Sequence, residues 1–217
     1  MTEIPLTNET WNASPEALEI PLKWKKPRRI FVNSMSDFFH ESVPFGWIDK
    51  IWEIMKSTPR HTYQVLTKRP DRMFEYAKTN QTLPNVLLGV TVENQQAAND
   101  RIPLLLQCPA ALRFLSCEPL LESVSLGKWI NDLDWVIVGG ESGPGARNCN
   151  IEWMESIVRE CQQAAVPVFV KQLGARPFSP YSPMFGTLIS WPISDRKGAI
   201  VAEFPEYLQV QQFPQAS

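Results

Sequence analysis

The sequence has few of the residues that build disulfide scaffolds and metal sites. Its 217 residues include four cysteines and two histidines. The cysteines are Cys108, Cys117, Cys149 and Cys161. They are too few and too scattered for a disulfide framework, and no two are separated by the two-residue gap typical of zinc or redox motifs. His40 and His61 share no metal-ligand spacing, so simple surface or core roles are expected for them. Buried structural roles are expected for the thiols, with a ligand or nucleophile role for Cys117 and Cys149 as the alternative.

Long apolar runs are also missing. No stretch approaches the roughly 18 consecutive apolar residues of a membrane-spanning helix. The start, MTEIPLTNET, lacks the basic flank and apolar core of a secretory signal. We therefore expect no membrane partner and a cytoplasmic location. A net charge of −2 with 20% charged residues argues against a surface built wholly for nucleic acid.

What the sequence does contain is a series of short, almost wholly apolar runs. They lie at residues 30–32, 63–66, 86–90, 113–115, 135–138 and 168–170. Near-continuous hydrophobicity over such lengths is typical of strands buried on both faces of a parallel sheet. Segments with helical period lie between some of the runs, notably residues 44–56 and 151–165. Asn150 precedes the second segment and is suited to be its N-cap.

The alternation of strand and helix indicates linked βαβ units. It predicts the α/β class, with a partial TIM-like (β/α) barrel of about six parallel strands. Residues 1–217 are expected to form a single domain. Within it, residues 1–28 are an N-terminal lead-in, and the proline-rich residues 174–217 are an irregular C-terminal tail that wraps around the barrel.

Polar and ionisable residues follow each apolar run. Because parallel strands end on the same side, these residues are expected to converge around one ligand site. The candidates for cofactor or ligand contact are Asn33, Ser34, Ser36, Asp37, Thr67, Lys68, Arg69, Thr91, Glu93, Asn94, Ser116, Glu118, Gly139, Gly140, Glu141, Ser142 and Lys171. The candidates for acid/base catalysis are Glu93, Glu118, Glu141 and Lys68. Helix capping or structural ion pairing is the alternative for any one of them.

The loop after the fifth run, GGESGPGAR, is rich in glycine. Residues 139–147 place a carboxylate, a hydroxyl and a guanidinium within one short segment. The glycines permit close approach of a ligand and a nest of N–H groups directed at an anion. The loop is neither a GxGxxG motif nor a P-loop, and a tight turn that requires glycine is the alternative. A small anionic ligand is the expected partner.

One strongly basic segment precedes the first run. KWKKPRR, residues 23–29, holds five positive charges and one aromatic side chain. This composition suits contact with phosphates, so nucleic acid is a second candidate partner. The segment lies before a strand, on the side opposite the expected ligand site. A solvated lead-in is the alternative.

A family resemblance rests on seven stretches. They are RRIFVNSMSDFFHESVP, YQVLTKRPDRM, LPNVLLGVTVENQ, RFLSCEPLL, DWVIVGGESGPGAR, VPVFVKQLG and DRKGAIVAEFPEYLQVQQFP. The chain resembles the phage-associated family of unknown function called gp thirty-seven / gp sixty-eight from about Pro15 to Pro214. That family in turn resembles radical S-adenosylmethionine enzymes. The resemblance implies a partial β/α barrel that binds S-adenosylmethionine, with NSMSD, TKRP, TVEN, SCEP and GGES lining the pocket.

The resemblance breaks where the family has a three-cysteine segment that would hold an iron–sulfur cluster. Here TNETWN passes almost directly into SPEALEIPLKWKKPRR. Without three thiolates near the site, neither a cluster nor another metal is expected, and radical chemistry is in question. The chain is then expected to bind S-adenosylmethionine or another small anionic ligand. The alternatives are a non-radical acid/base enzyme that uses the strand-end carboxylates and a non-catalytic phage or mobile-element protein.

Overall fold

The computed structural model describes residues 2–4, 18–32, 36–179 and 189–214. The predicted site residues Asn33 and Ser34 lie outside these ranges, as do parts of the predicted lead-in and tail. The described strands are β1 (Thr2–Ile4), β2 (Arg29–Val32), β3 (Thr62–Thr67), β4 (Val86–Thr91), β5 (Leu112–Cys117), β6 (Trp135–Gly139), β7 (Cys149–Asn150), β8 (Val168–Gln172), β9 (Pro177–Ser179) and β10 (Ile189–Ser190). The described helices are α1 (Ile20–Lys23), α2 (Phe45–Ser57), α3 (Pro70–Ala77), α4 (Gln95–Gln107) and α5 (Ile151–Gln163).

The fold is of the α/β class, with the parallel strands and intervening helices of a partial TIM-like barrel, as predicted. All six apolar runs form strands, namely β2 to β6 and β8. Every residue of β4 and β6 is buried. Their continuous hydrophobicity therefore reflects burial on both faces of the strand, as expected for a sheet covered on both sides.

The chain divides into two compact units. The first consists of residues 1–90 and 101–113, and the second of residues 91–100 and 114–217. Each unit is interrupted in sequence by part of the other. The single domain expected over residues 1–217 stays a prediction.

The first unit contains a run of parallel strand pairs in which β1 pairs with β2, β2 with β3 and β3 with β4. The predicted helix at residues 44–56 is α2, which begins one residue later. Pro44 precedes its first turn, where the missing N–H of proline costs no intrahelical hydrogen bond. Ile48, Trp52 and Met55 form the buried face of α2, and their spacing is that of an amphipathic helix.

A buried asparagine ties α2 to β3 in the same unit. The side-chain amide of Asn85 donates to the carbonyl oxygens of Met55 at 2.9 Å and His61 at 3.1 Å. Only 9% of Asn85 is exposed, so water is a poor substitute for these bonds. The side chain therefore satisfies backbone acceptors at both ends of the connection between α2 and β3.

In the second unit, β6 pairs in parallel with both β5 and β8. The N-cap of α5 is Asn150, as predicted, because its side chain accepts a hydrogen bond from the backbone N–H of Glu152. The tail forms hydrogen bonds along the other edge of β8, from Val170 N to Val210 O and from Gln212 N to Val168 O, each 2.9 Å. These bonds satisfy backbone groups that an open strand edge would leave exposed.

The second unit also holds a small sheet that the sequence pattern did not predict. In this sheet, β9 pairs in parallel with β7 and antiparallel with β10. These strands contain only two or three residues each. Such lengths are too short to produce a readable alternation of apolar and polar residues.

Replacing Asn85 with alanine should remove buried hydrogen bonds to three carbonyl groups, those of Met55, Thr58 and His61. We expect Asn85→Ala to lower the free energy of unfolding by about 2 kcal/mol or more. Urea denaturation followed by tryptophan fluorescence measures the change. The control is Asn80→Ala, which removes a side-chain bond to the single carbonyl of Tyr76 at a half-exposed position. Equal losses in the two variants would contradict the role given to Asn85.

Candidate ligand site at the strand ends

One carboxylate of the second unit accepts hydrogen bonds from side chains on two different strands. Glu118 directly follows β5, and its Oε2 accepts hydrogen bonds from Ser116 Oγ at 3.2 Å and from Lys171 Nζ at 3.5 Å. Lys171 lies in β8, and its ammonium group is also 3.4 Å from Glu118 Oε1. Both hydrogen bonds are long, since O–H···O and charged N–H···O bonds are usually shorter than about 3 Å. The carboxyl group is thus only weakly held.

Space for this carboxyl group comes from the last residue of β6. A Cβ atom at Gly139 would lie 2.6 Å from Glu118 Oε1, which is closer than such atoms approach. This oxygen is buried and has no hydrogen-bond partner in the described part of the chain. A carboxylate can accept about four hydrogen bonds. Glu118 therefore has unused acceptor capacity.

Burial raises the pKa of Glu118, while the nearby Lys171 and Ser116 act in the opposite direction. The side chain of Glu118 is 15% exposed and that of Lys171 is 48% exposed. The carboxyl group is thus the sheltered partner and the ammonium group the accessible one. A carboxyl group with a raised pKa exchanges its proton closer to neutral pH than an ordinary glutamate does. The pair can exchange a proton or bind polar groups of a ligand.

The next glycine brings two backbone segments into contact. A Cβ atom at Gly140 would lie 2.2 Å from the carbonyl oxygen of Leu173. Gly140 N donates to Gln172 O at 3.0 Å, and Gln172 Nε2 donates to Gly140 O at 2.8 Å. The strand register shifts between Val138 and Gly139. The glycine pair therefore serves the packing of the strand ends.

Glu141 is bound within its own loop. Its carboxylate accepts hydrogen bonds from Arg147 Nη2 at 2.7 Å and from Arg147 Nε and N, both at 2.8 Å. These bonds lower the pKa of Glu141 to about 2. The hydrogen bond with Glu141 raises the pKa of Arg147, and the charge of Glu93 adds a smaller effect in the same direction. Arg147 was not among the predicted site residues, although the same glycine-rich loop contains it.

In the first unit, the predicted residues form a network around Asp37. Its Oδ1 accepts from Thr67 Oγ1 at 2.6 Å and from Phe39 N at 2.9 Å. Its Oδ2 accepts from Lys68 N and from Arg69 Nη1, both at 2.9 Å. Four hydrogen bonds fill the acceptor capacity of a carboxylate. The network joins the segment after β2 to the carboxyl end of β3, which is a structural role.

The remaining predicted residues differ in their surroundings. Asn94 caps α4, since its Oδ1 accepts from Ala97 N at 2.8 Å. Ser36 Oγ is buried and, within the described ranges, has no hydrogen-bond partner. Thr91 is buried and Ser142 is exposed. The predicted residues that the structure brings together around one carboxylate are Ser116, Glu118, Gly139 and Lys171, and convergence of the whole set stays a prediction.

The four cysteines are buried thiols, and the absence of an iron–sulfur cluster stays a prediction. All four are free and buried. Burial raises the pKa of Cys108 to about 11, that of Cys149 and Cys161 to about 12, and that of Cys117 well above its ordinary value. In the metal-free protein such thiols retain their protons at neutral pH. Where the chain is described, no group of three or more His, Cys, Asp or Glu residues is placed to hold a metal ion.

Fold and site together define an α/β protein of the partial TIM-like barrel type, with a buried carboxyl group at the ends of parallel strands. The chain belongs to the family described as "Protein of unknown function (DUF5131)", whose model matches residues 1–189. Neither a curated protein nor a solved structure matches the chain. Among the helices of the described ranges, none has the length and apolar character needed to cross a membrane.

Alanine should affect the two strand-end glycines differently. At Gly140 the added Cβ meets the backbone of Leu173, so Gly140→Ala should lower the free energy of unfolding by about 1–3 kcal/mol. At Gly139 the added Cβ meets the end of the Glu118 side chain, which can rotate away. The loss of unfolding free energy in Gly139→Ala should therefore be smaller. Urea denaturation of both variants measures the difference. A larger loss for Gly139→Ala would contradict this assignment of contacts.

The raised pKa of Glu118 predicts a pH-dependent effect of Glu118→Gln. Folding disfavours the charged form of Glu118, whose ordinary pKa is 4.5. The wild-type free energy of unfolding therefore falls as pH rises from 4.5 through the higher pKa of the folded state. The glutamine variant lacks this loss. Its free energy of unfolding relative to wild type should therefore increase between about pH 4 and about pH 8. Denaturation curves across that range test this, and a constant or falling difference would contradict it.

Proposed function

We propose that the chain binds a small ligand at the strand ends of its second unit, with Glu118 and Lys171 as the main polar contacts. The supporting observation is a contrast between two similarly buried carboxylates. The side chain of Asp37 is 14% exposed and that of Glu118 is 15% exposed. Asp37 accepts four hydrogen bonds of 2.6–2.9 Å. Oε1 of Glu118 lies 3.4 Å from the ammonium group of Lys171 but accepts no hydrogen bond from the residues that the structure describes. Burial alone does not account for that difference.

An unsatisfied buried acceptor costs about 1–3 kcal/mol of stability. A carboxylate whose only role was structural would be served better by the saturated arrangement of Asp37. A ligand that donates a hydrogen bond to Glu118 removes the cost in the bound state. The free protein thus has a buried carboxyl group with unused acceptor capacity at the strand ends, where a ligand donor can reach it.

The charges of the pair favour a ligand that carries an α-amino-acid group. The accessible ammonium group of Lys171 suits a carboxylate, and Glu118 suits an ammonium group. The methionine part of S-adenosylmethionine has both groups. S-adenosylmethionine, the ligand implied by the family resemblance, is therefore our first candidate. A small anionic ligand that contacts Lys171 is the second candidate.

Acid/base catalysis at the same pair is a second candidate function, favoured by the raised pKa of Glu118. In that function Glu118 removes a proton from a bound substrate, and Lys171 stabilises the negative charge that develops. Glu141 is less suited to proton transfer because Arg147 lowers its pKa to about 2. Phage association and a cytoplasmic location stay predictions.

Calorimetric titration of the full chain with S-adenosylmethionine tests the site. We expect one binding event in the wild type and affinity lowered about tenfold or more in Glu118→Gln and Lys171→Met, because each loses a charged hydrogen bond. The matched control is Lys128→Met. It removes an exposed lysine of the same unit whose ammonium group lies 4.2 Å from the centre of the Trp129 ring, and it should bind like the wild type.

Titrations with methionine and with inorganic phosphate separate the ligand classes. If methionine binds with the same dependence on Glu118 and Lys171, the α-amino-acid group is the recognised element. If phosphate alone binds and Lys171→Met weakens it, the site takes an anion and S-adenosylmethionine is the wrong ligand. Binding that neither variant weakens would contradict the site. The absence of binding by all three compounds would contradict the proposed function and favour a non-catalytic phage or mobile-element protein.

A further inference from the structure

A strongly basic surface lies in the first unit, in the segment before β2. We call Lys23, Lys25, Lys26, Arg28 and Arg29 the basic face, and all five residues are exposed. The chain as a whole has a net charge of −2, so positive charge is concentrated here and the remainder is acidic. Such segregation creates a local positive potential that the net charge conceals.

A single guanidinium group holds the backbone at the start of this segment. Arg60 Nε donates to Trp24 O at 2.7 Å, and Arg60 Nη2 donates to Pro21 O and Leu22 O, both at 3.1 Å. Three carbonyl groups at and next to the end of α1 are thus bound by one side chain. The lead-in is therefore anchored to the loop before β3.

The neighbouring histidine holds both ends of the segment. His61 is 1% exposed, and its Nδ1 accepts a hydrogen bond from Arg28 N at 3.2 Å. Its Nε2 lies 3.0 Å from Pro21 O, so Nε2 carries the proton and donates. The backbone between Pro21 and Arg28 is consequently fixed by Arg60 and His61 together. A segment that served only as a solvated lead-in would not require these anchors.

The aromatic ring of the segment supports a cation. The guanidinium carbon of Arg28 lies 4.4 Å from the centre of the Trp24 ring, and the His61 ring meets Trp24 edge-on at 5.9 Å. Trp24 therefore orients a charge, and Arg28 occupies one face of its half-exposed ring. Lys23 forms an exposed ion pair with Glu19 at 3.7 Å, and such pairs are weak enough to be exchanged for a phosphate.

We propose that the basic face binds the phosphate backbone of nucleic acid, without reading its sequence. Clustered cations release counterions from a polyphosphate strand on binding, which is a favourable term at low salt. The fixed backbone lowers the ordering cost of the protein. An anionic membrane offers similar charge. However, stable membrane attachment needs an apolar anchor in addition to basic residues. Leu22 is the exposed large apolar side chain next to the basic face, and Arg28 covers one face of the Trp24 ring.

Fluorescence anisotropy with a labelled DNA duplex of about 20 base pairs tests this proposal, at salt concentrations between about 50 and 200 mM. The test variant is Lys25→Gln/Lys26→Gln/Arg29→Gln. The control is Lys50→Gln/Lys78→Gln/Lys128→Gln, which changes the net charge equally. It alters exposed lysines that lie over the rings of Trp47, Phe74 and Trp129.

We expect the wild-type association constant to fall linearly with salt on logarithmic axes, with a slope of about −0.9 for each phosphate contacted. The association constant of the test variant should be lower by about tenfold or more at about 50 mM salt. The magnitude of its salt slope should be smaller by about 2 or more. The control should retain wild-type affinity and slope. S-adenosylmethionine binding, a property of the second unit, should be unchanged in the test variant, which keeps the two proposals separable.

Three outcomes would overturn the proposal. The first is no binding of duplex at about 50 mM salt, where phosphate contacts are strong. The second is an equal loss of affinity in the test and control variants, which would attribute binding to net charge alone. The third is binding to vesicles that contain about one third anionic lipid together with no binding to DNA, which would make the basic face a membrane-binding surface.

Discussion

The parallel pairing of β6 with β8, which ends in contact between the backbones of Gly140 and Leu173, is the constraint on which the candidate site depends. Parallel strands end at the same edge, so β8 delivers the ammonium group of Lys171 next to the end of β6. The absence of a side chain at Gly139 leaves the space that the carboxyl group of Glu118 occupies. A sheet that lacked this close approach would separate the two charged groups.

The carboxylates show that burial and position do not by themselves define a functional group. Asp37 and Glu118 both follow strands and are buried to a similar degree. Asp37 is surrounded by two backbone N–H groups, a hydroxyl and a guanidinium, so folding completes its interactions. Glu118 accepts two long hydrogen bonds at Oε2, and its Oε1, 3.4 Å from the Lys171 ammonium group, accepts none within the described ranges. That incomplete solvation raises its pKa and leaves it able to bind or exchange a proton.

The basic face illustrates a related point about charge. Arg60 and His61 form hydrogen bonds with the backbone that carries its cations. Both residues lie far from Lys25 and Arg28 in the sequence. Long-range hydrogen bonds thus convert a charged stretch into a surface of defined geometry. The net charge of the chain is −2, so the positive potential at the basic face comes from how the charges are arranged and not from their sum.

The sequence by itself determined the α/β class, all six predicted strands, helix α2 within one residue and the N-cap at Asn150, because hydrophobic period and capping act over a few neighbouring residues. It also identified the strand-end polar residues as candidates. Only the structure decided that Arg147 donates three hydrogen bonds to Glu141 and that donors from several segments saturate Asp37. It also decided that Oε1 of Glu118 accepts no hydrogen bond from the described residues. Whether a carboxylate is satisfied depends on donors that the fold brings within about 3 Å, and the local pattern of residues does not specify those distances.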